Sequence, residues 1–234
     1  MIAIMKREFN AYFNSALGFV ILAVFFLATG YFFMYGNLYS MSGDLTIVFS
    51  NMFTILMFII PVLTMRLMSE DKKLKTDQIL LTTPVSITSI VYGKFLAALS
   101  VFTLGVSITI VYGIILNNFG QVDWLVIFGN IVGLLLLGGA MISVGLFASA
   151  LTENQLIAAL GGFAGMLLIM MIDAFANAVT NPMLNSIISQ LSLTTRYMDF
   201  TFGLFDVSHI IFFLSIIAVF NFFTIRVIEK RRWS

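Results

Sequence analysis

The chain has 234 residues, of which 60% are hydrophobic and 10% charged, with a net charge of +1 and a mean hydropathy of +1.06. A soluble domain carries roughly 25% charged residues, so this composition predicts an integral membrane protein. The chain contains no cysteine, which excludes disulfide bonds, thiolate catalysis and cysteine-based metal sites. A net charge so close to zero gives no indication that nucleic acid is a partner.

Residues 1–15 are predicted to form an amphipathic elbow helix that lies in the headgroup plane. Its apolar residues fall on one helical face and its polar residues on the other, a pattern typical of helices at a membrane surface. The apolar set is Ile2, Met5, Phe9, Tyr12 and Phe13, and the polar set is Lys6, Arg7, Asn10 and Asn14. The alternative is a plain extension of the first span.

Residues 16–234 are predicted to form one transmembrane domain with six spans, because each charge-free window holds about 20 apolar residues. The spans are expected near Ala16–Tyr35, Ile47–Met65, Ile90–Leu116, Leu125–Leu151, Gln155–Ala176 and Val207–Ile228. An even number of spans places both termini on one side. All the lysines and arginines except Arg196 then fall on the side of the termini, so the positive-inside rule predicts that both termini are cytoplasmic.

The segment 66–89 is the long charged stretch of the chain, and it joins the second and third spans. Most connections need only a few residues, so its length indicates more than a connector. Arg66 and Glu70 have the i,i+4 spacing of a helical ion pair. A solvated connector that merely satisfies the positive-inside rule is the alternative.

The same segment contains the pattern of a short helix. Thr76 is the predicted N-cap, and Asp77 favours a helix N-terminus. Gln78, Ile79, Leu80 and Leu81 follow, and Pro84 ends the helix. The three apolar residues from Ile79 to Leu81 form a small patch suited to a groove on a partner protein.

Residues 177–206, on the predicted outer side, are too polar and too short to cross the membrane twice. Non-helical backbone enters a membrane only where protein buries it or where it lines a cavity, so we predict a re-entrant helical hairpin. Its apolar residues Ile187, Ile188 and Leu191 are predicted to form a plug that closes the outer side of the bundle as an outer gate. A surface helix on the outer leaflet is the alternative.

The residues that could carry chemistry are few. His209 is the single histidine, with Asp206 three residues before it, and a lone interfacial histidine favours a structural role. Asp173 lies in the fifth span, and an intramembrane acid is a candidate pathway residue, although a hydrated aspartate at the helix end is equally consistent. Phe95 follows Gly93-Lys94 where a P-loop requires Ser or Thr. We therefore predict no catalytic residue, no metal site and no cofactor bound by this chain.

One polar turn completes the pattern. Thr152-x-x-Gln155 has the spacing of a capping box that starts the fifth span.

Three segments of the chain, Pro61–Arg66, Thr76–Ser86 and Gly93–Ala97, together resemble the permease subunits of type-2 ABC transporters. The branch they are most similar to is associated with gliding motility and nitrous-oxide reductase. The stretch Ser149–Asn154 resembles the second cytoplasmic turn of that family, and the similarity extends over nearly the whole chain.

The resemblance implies an all-α integral membrane fold: six transmembrane helices, an N-terminal interfacial helix, a cytoplasmic coupling helix within the coupling loop 66–89, and an outer re-entrant hairpin. It also implies a half-transporter in a prokaryotic cytoplasmic membrane. A second permease copy, identical or related, would pair with it, and two copies of a separate ATPase would bind ATP and Mg. The residues expected to face the ATPase are Arg66, Glu70, Thr76, Asp77, Gln78, Ile79, Leu80, Leu81 and Glu153.

Most relatives export lipids, glycans, peptides or drugs, so the resemblance implies export of an amphiphilic substrate by a subunit that is not itself an enzyme. Two alternatives remain open at this stage. A stand-alone secondary transporter or channel would need ionisable residues or broken helices at the membrane midplane. An ABC complex that acts mechanically on an envelope partner would be indistinguishable in sequence.

Overall fold

The computed structural model describes residues 1–76, 85–118, 122–178, 190–204 and 206–232, and every regular element in these ranges is helical. The helices before the first gap are α1 (Ile2–Asn14), α2 (Ala16–Phe33), α3 (Thr46–Thr64) and α4 (Arg66–Lys73), and α2 continues as a π-helical segment, Met34–Leu38. The later helices are α5 (Ile87–Val106), α6 (Ile108–Asn117), α7 (Trp124–Leu151), α8 (Gln155–Ala178), α9 (Leu193–Thr201) and α10 (Val207–Arg232).

Six helical stretches among the described residues are long and apolar enough to cross a membrane. They run over Ala16–Leu38, Thr46–Lys73, Ile87–Asn117, Trp124–Leu151, Gln155–Ile172 and Val207–Arg231. Each contains most of one predicted span, so the six predicted spans are confirmed as membrane-length helices. The helix α1 that precedes them is also present, while its position in the headgroup plane stays a prediction.

The first part of the segment 66–89 is helical, where the sequence predicts a loop. Helix α3 continues through Met65 into α4, so the second helical stretch ends at Lys73, and α5 begins at Ile87. The physical reason is that this segment has partners in the bundle, since Asp71 pairs with Lys94 of α5 and Lys72 bonds the Ala150 carbonyl of α7. Leu67 and Met68 are buried against the bundle, so the segment gains from forming an amphipathic helix.

Helix α7 is the centre of the bundle and packs against α3, α5, α8, α9 and α10. In its apolar window 61% of residues are buried, against 17% for α8 and α10. Glycines allow the close contacts: a Cβ at Gly138 would lie 2.1 Å from the ring of Phe102, and one at Gly145 would lie 2.2 Å from Oγ1 of Thr64. Small residues at such contacts let membrane helices approach closely.

Helix α1 and the last turn of α10 lie at the same end of the bundle. A Cβ at Gly93, near the start of α5, would lie 3.0 Å from Cβ of Ile4 in α1. At the other terminus, Arg231 Nη2 lies 3.5 Å from Glu153 Oε1 in the turn between α7 and α8. We call the end that holds α1, α4 and this turn the basic end, and the other the opposite end.

At the opposite end, α9 supplies the described part of the predicted hairpin. The hydroxyl of Tyr197 donates to the carbonyl of Phe49, 2.8 Å away, and both Tyr197 and Phe200 are fully buried. Leu191, just before α9, is exposed. Ile187 and Ile188 lie outside the described residues, so the half-depth insertion and the gate stay predictions.

Candidate functional site at the basic end

The junction between α3 and α4 is held by a serine of α7. Ser149 Oγ donates to the carbonyl of Met65 at 2.9 Å and accepts from the amides of Met68 and Ser69 at 3.1 Å. In an uninterrupted helix the Ser69 amide bonds the Met65 carbonyl directly. The Ser149 hydroxyl therefore bridges two groups of the helical ladder, a position in which an inserted side chain bends a helix.

A second contact attaches α4 to α7 one turn further along. Lys72 Nζ donates to the carbonyl of Ala150, which is one of the last carbonyls of α7 and has no partner within its own helix. A lysine at a helix C-terminus also interacts favourably with the helix dipole. Helix α4 is thus fixed to the end of α7 at both its start and its last turn.

Arg66 and Glu70 form the ion pair that their spacing predicts, with 2.9 Å between Nε and Oε2. Arg66 makes two further contacts to the N-terminal region. Its Nη1 donates to Ser15 Oγ at 2.9 Å, and its guanidinium carbon lies 5.4 Å from the ring centroid of Tyr12. Arg66 therefore connects the α3–α4 junction with the linker between α1 and α2.

Tyr12 is buried, and its hydroxyl donates to the carbonyl of Leu63 at 2.6 Å. The hydrogen bond ties the last turn of α1 to the last turn of α3. Burial of the phenol raises the pKa of Tyr12 well above its usual range, against a smaller lowering by the charge of Arg66. The phenol consequently stays protonated, and keeps its donor, at any pH at which a cell operates.

A cluster of four charges joins α1, α4 and α5. Lys94 Nζ lies 2.6 Å from Asp71 Oδ2 and 3.1 Å from Glu8 Oε1, and it donates to the carbonyl of Leu67 at 2.5 Å. Arg7 Nη2 lies 2.5 Å from Glu8 Oε1 and 3.9 Å from Asp71 Oδ2. The Lys94 side chain is only 2% exposed. Its charge is therefore compensated by the carboxylates of Glu8 on α1 and Asp71 on α4 rather than by water.

The charge cluster reaches the start of the predicted coupling helix. Thr76 Oγ1 donates to Asp71 Oδ1 at 2.9 Å. Between them Lys75 has a φ of 57°, the left-handed conformation that often ends a helix and that glycine adopts most easily. The residues Asp77, Gln78, Ile79, Leu80 and Leu81 lie outside the described part of the chain. The predicted N-cap role of Thr76 toward them stays a prediction.

The turn between α7 and α8 corrects the predicted capping box. Helix α8 begins at Gln155, and Asn154 Oδ1 accepts from the amide of Leu156 at 2.9 Å. The hydroxyl of Thr152 instead accepts from the amide of Asn154 at 3.1 Å. Asn154 is therefore the N-cap, because it directly precedes the helix and asparagine is among the strongest N-cap residues.

The structure brings Arg66, Glu70 and Thr76 into one charged region, with Glu153 on a separate turn at the same end. Asp173 belongs to α8, and its side chain is outside the description. No group of three or more metal-ligating His, Cys, Asp or Glu side chains occurs within the described ranges.

Sequence reasoning missed the residues that hold α4 in place. They are Glu8, Asp71, Lys94 and Ser149. Lys94 is the one that its surroundings could have revealed. It lies between Gly93 and Phe95, about 10 Å along the apolar helix α5 from the first residue of that helix. A lysine without a partner costs free energy in such surroundings.

The described residues thus form six apolar helices of membrane length, with a charged segment braced by side chains at one end. The family model described as ABC-2 family transporter protein matches residues 4–153, which is more than half of the chain and runs from α1 to the α7–α8 turn. The chain therefore belongs to the ABC-2 family and is a transmembrane permease component of an ABC transporter. No curated protein matches the chain.

Proposed function

We propose that this chain is the permease subunit of an exporter driven by ATP that a separate ATPase subunit binds with Mg and hydrolyses. The coupling loop 66–89 and the turn that carries Glu153 would form the docking surface, on the cytoplasmic side. The observation that carries the proposal is the bracing of α4. A push on this helix reaches α3 through the backbone, α7 through Ser149 and α5 through Lys94, so a docked partner could move three spans at once.

The distribution of charge supports a cytoplasmic basic end. Arg196 belongs to α9 at the opposite end, and the remaining lysines and arginines belong to α1, the segment 66–76, the start of α5 or the last turns of α10. Cytoplasmic segments carry such an excess of positive charge. The proposed location is the cytoplasmic membrane of a prokaryote.

For the assembly we propose two permease copies and two ATPase copies, as in the branch associated with gliding motility and nitrous-oxide reductase that the sequence resembles. The chain supplies one six-span unit, which supports this arrangement. Two such units related by a twofold axis form a closed dimer through a single self-complementary interface. Fewer than a third of the residues in the apolar windows of α2, α8 and α10 are buried within the chain. These helices leave apolar surface for lipid and for a second copy.

We propose an amphiphilic, lipid-, glycan- or peptide-like substrate. An open apolar groove of about 550 Å³ runs between α7, α8 and α10, with Phe147 and Phe220 among its walls and Gly161 and Gly165 leaving its space. Its lining supports a substrate with a substantial apolar part. Asp173 is the proposed polar residue of the pathway.

The outer gate belongs to the same proposal. Ile187, Ile188 and Leu191 would close the path, and the anchoring of α9 through Tyr197 supports a fixed base for them. Cysteines introduced at Ile187 and Ile188 provide the measurement, since the chain has no other thiol. We expect an impermeant thiol reagent to label both slowly in the resting complex; labelling at the rate of a free surface thiol would refute the gate.

The proposed function is tested by purifying the tagged chain together with the products of adjacent genes. We expect an ATPase to co-purify with the wild-type chain. Leu80→Asp places a charge in the apolar patch and should release the ATPase while leaving the membrane bundle folded. Leu204→Asp, at an exposed leucine of the opposite end, is the matched control and should retain the ATPase. Equal ATPase recovery from Leu80→Asp and wild type would contradict the docking role.

A further inference from the structure

The charge cluster at the basic end has a composition unlike that of an ordinary surface network. Its two cations and two carboxylates balance, and its lysine is almost completely buried while Glu8 and Asp71 are 15% and 19% exposed. A buried ion pair adds little net stability compared with apolar residues of the same size, but it holds its partners in one relative position. The property that this cluster supplies is therefore orientation.

The cluster connects α1 to α4 near the middle of α1, through Glu8. A second set of contacts holds the other end of α1: Tyr12 bonds the Leu63 carbonyl, and Ser15 accepts from Arg66. Helix α1 is thus attached at two places to the α3–α4 unit. Ser15 is also the single residue between α1 and α2, so any displacement of α1 acts directly on the first span.

We propose that Lys94 is a positioning residue that makes α1 a working part of the coupling lever, so that a push on the coupling loop moves the first span together with the second and third. This inference rests on the proposed function, because the push is that of the docked ATPase. Thr76 bonds Asp71, and Asp71 bonds Lys94, which also binds Glu8. The path from the loop to α1 is therefore a chain of three direct contacts.

The expected behaviour of α1 differs with and without Lys94. With the lysine, α1 and α4 move as one body when the ATPase binds ATP. Without it, α4 still moves with α3 and α7, and Tyr12 and Ser15 still hold the C-terminal end of α1. The part of α1 up to Asn10 has lost its buried attachment through Glu8 and stays behind, because the 3.9 Å contact of the half-exposed Arg7 with Asp71 does not replace it. The purified ATPase-containing complex in lipid nanodiscs allows both distances to be measured with pairs of spin labels on introduced cysteines.

One label pair, Asn10→Cys with Lys73→Cys, spans the cluster from α1 to α4, and both positions are exposed. A second pair, Asn10→Cys with Leu151→Cys, measures α1 against the end of α7. Labelled chains are diluted with unlabelled ones so that each signal arises within one chain. In the wild type we expect the first distance to be unchanged by ATP with vanadate and the second to shift.

Lys94→Met should reverse this pattern, with a change in the first distance and loss of the ATP-dependent shift in the second. ATP hydrolysis by the assembled complex should fall by about tenfold, which lies within the usual range of coupling between two sites. Lys6→Met removes the same charge from an exposed position of α1 and should behave as the wild type.

A second variant addresses failure to fold, because Lys94→Met leaves two carboxylates near each other in a buried place. Combining Lys94→Met with Arg7→Gln, Glu8→Gln and Asp71→Asn removes all four charges of the cluster. A purely structural role for Lys94 predicts that this neutral variant, once assembled with normal thermal stability, keeps the ATP-dependent shift of α1. The positioning role predicts that the shift is lost.

The outcomes separate the two proposals. If no ATPase assembles with the wild-type chain, the proposed function fails and this inference fails with it. If the complex assembles and hydrolyses ATP, but α1 does not shift in the wild type or shifts equally in Lys94→Met or the neutral variant, only the inference is overturned. Loss of the shift in a folded, ATPase-bound variant supports it.

Discussion

At the scale of single residues, two fully buried serines of α7 show how position decides the contribution of a hydroxyl. Ser149 Oγ joins α7 to the Met65 carbonyl and to two amides at the start of α4. Ser143 Oγ donates to the carbonyl of Ala140 in its own helix at 2.7 Å. The Ser149 hydroxyl connects two helices, whereas the Ser143 hydroxyl forms a hydrogen bond only within its own helix.

Ser149→Ala should therefore destabilise the protein by about 1–3 kcal/mol, the usual cost of leaving buried polar groups without their partner. Ser143→Ala is the matched control and should change stability by about 0.5 kcal/mol or less, since the lost bond lies within one turn. Unfolding of the purified chain in detergent, followed by circular dichroism, measures both. Equal losses for the two variants would show that the bridge to α4 contributes nothing.

The residues of this site differ in how far the sequence predicts them. The spacing of Arg66 and Glu70 is sufficient for their ion pair, because i and i+4 face each other on any helix. The cluster of Glu8, Asp71 and Lys94 is not predictable in this way. Its members are far apart in sequence, and Glu8 and Asp71 each resemble a solvated charge. The apolar surroundings of Lys94 indicate that it needs a partner, but only the packing of α1, α4 and α5 identifies Glu8 and Asp71 as that partner.

At the scale of elements, α4 differs from the loop that its charge suggests. A count of charges places the residues after Met65 in solvent, but Leu67 and Met68 are buried. Asp71 and Lys72 also find partners on α5 and α7. The spans themselves are predictable, because the hydrocarbon core imposes length and composition on every one of them. The helix ends are less so, since hydrogen bonds from other helices determine where α4 starts and stops.

The proposed role of α4 as a lever predicts unequal effects of charge reversal at its ion pair. Arg66→Glu should impair ATP hydrolysis by the assembled complex more than Glu70→Arg, because Arg66 also contacts Ser15 and the Tyr12 ring. The double reversal should recover only the ion-pair contribution. This pair is partly exposed, so the recovery corresponds to about 0.5 kcal/mol. If the double variant hydrolyses ATP no faster than Arg66→Glu, the two residues do not interact as an ion pair.

At the scale of the whole molecule, the charged and braced elements lie at one end of the bundle. The basic end holds α1, the last turns of α10, the braced helix α4 and the turn with Glu153, and the matched family region 4–153 includes every residue of the charge cluster. The opposite end is closed by α9, which packs against α3, α7 and α8. An energy source at the basic end and a gate at the opposite end would then communicate through α3 and α7.

The most direct test of this account is photo-crosslinking of the assembled complex in its membrane. A benzophenone-maleimide is attached to a cysteine introduced at Leu80, and in a parallel sample to one at Leu204; the chain has no native cysteine. The account predicts that illumination yields an adduct between the chain and the ATPase from Leu80 and none from Leu204. An ATPase adduct from Leu204, or no adduct from Leu80 in a complex that hydrolyses ATP, would contradict it.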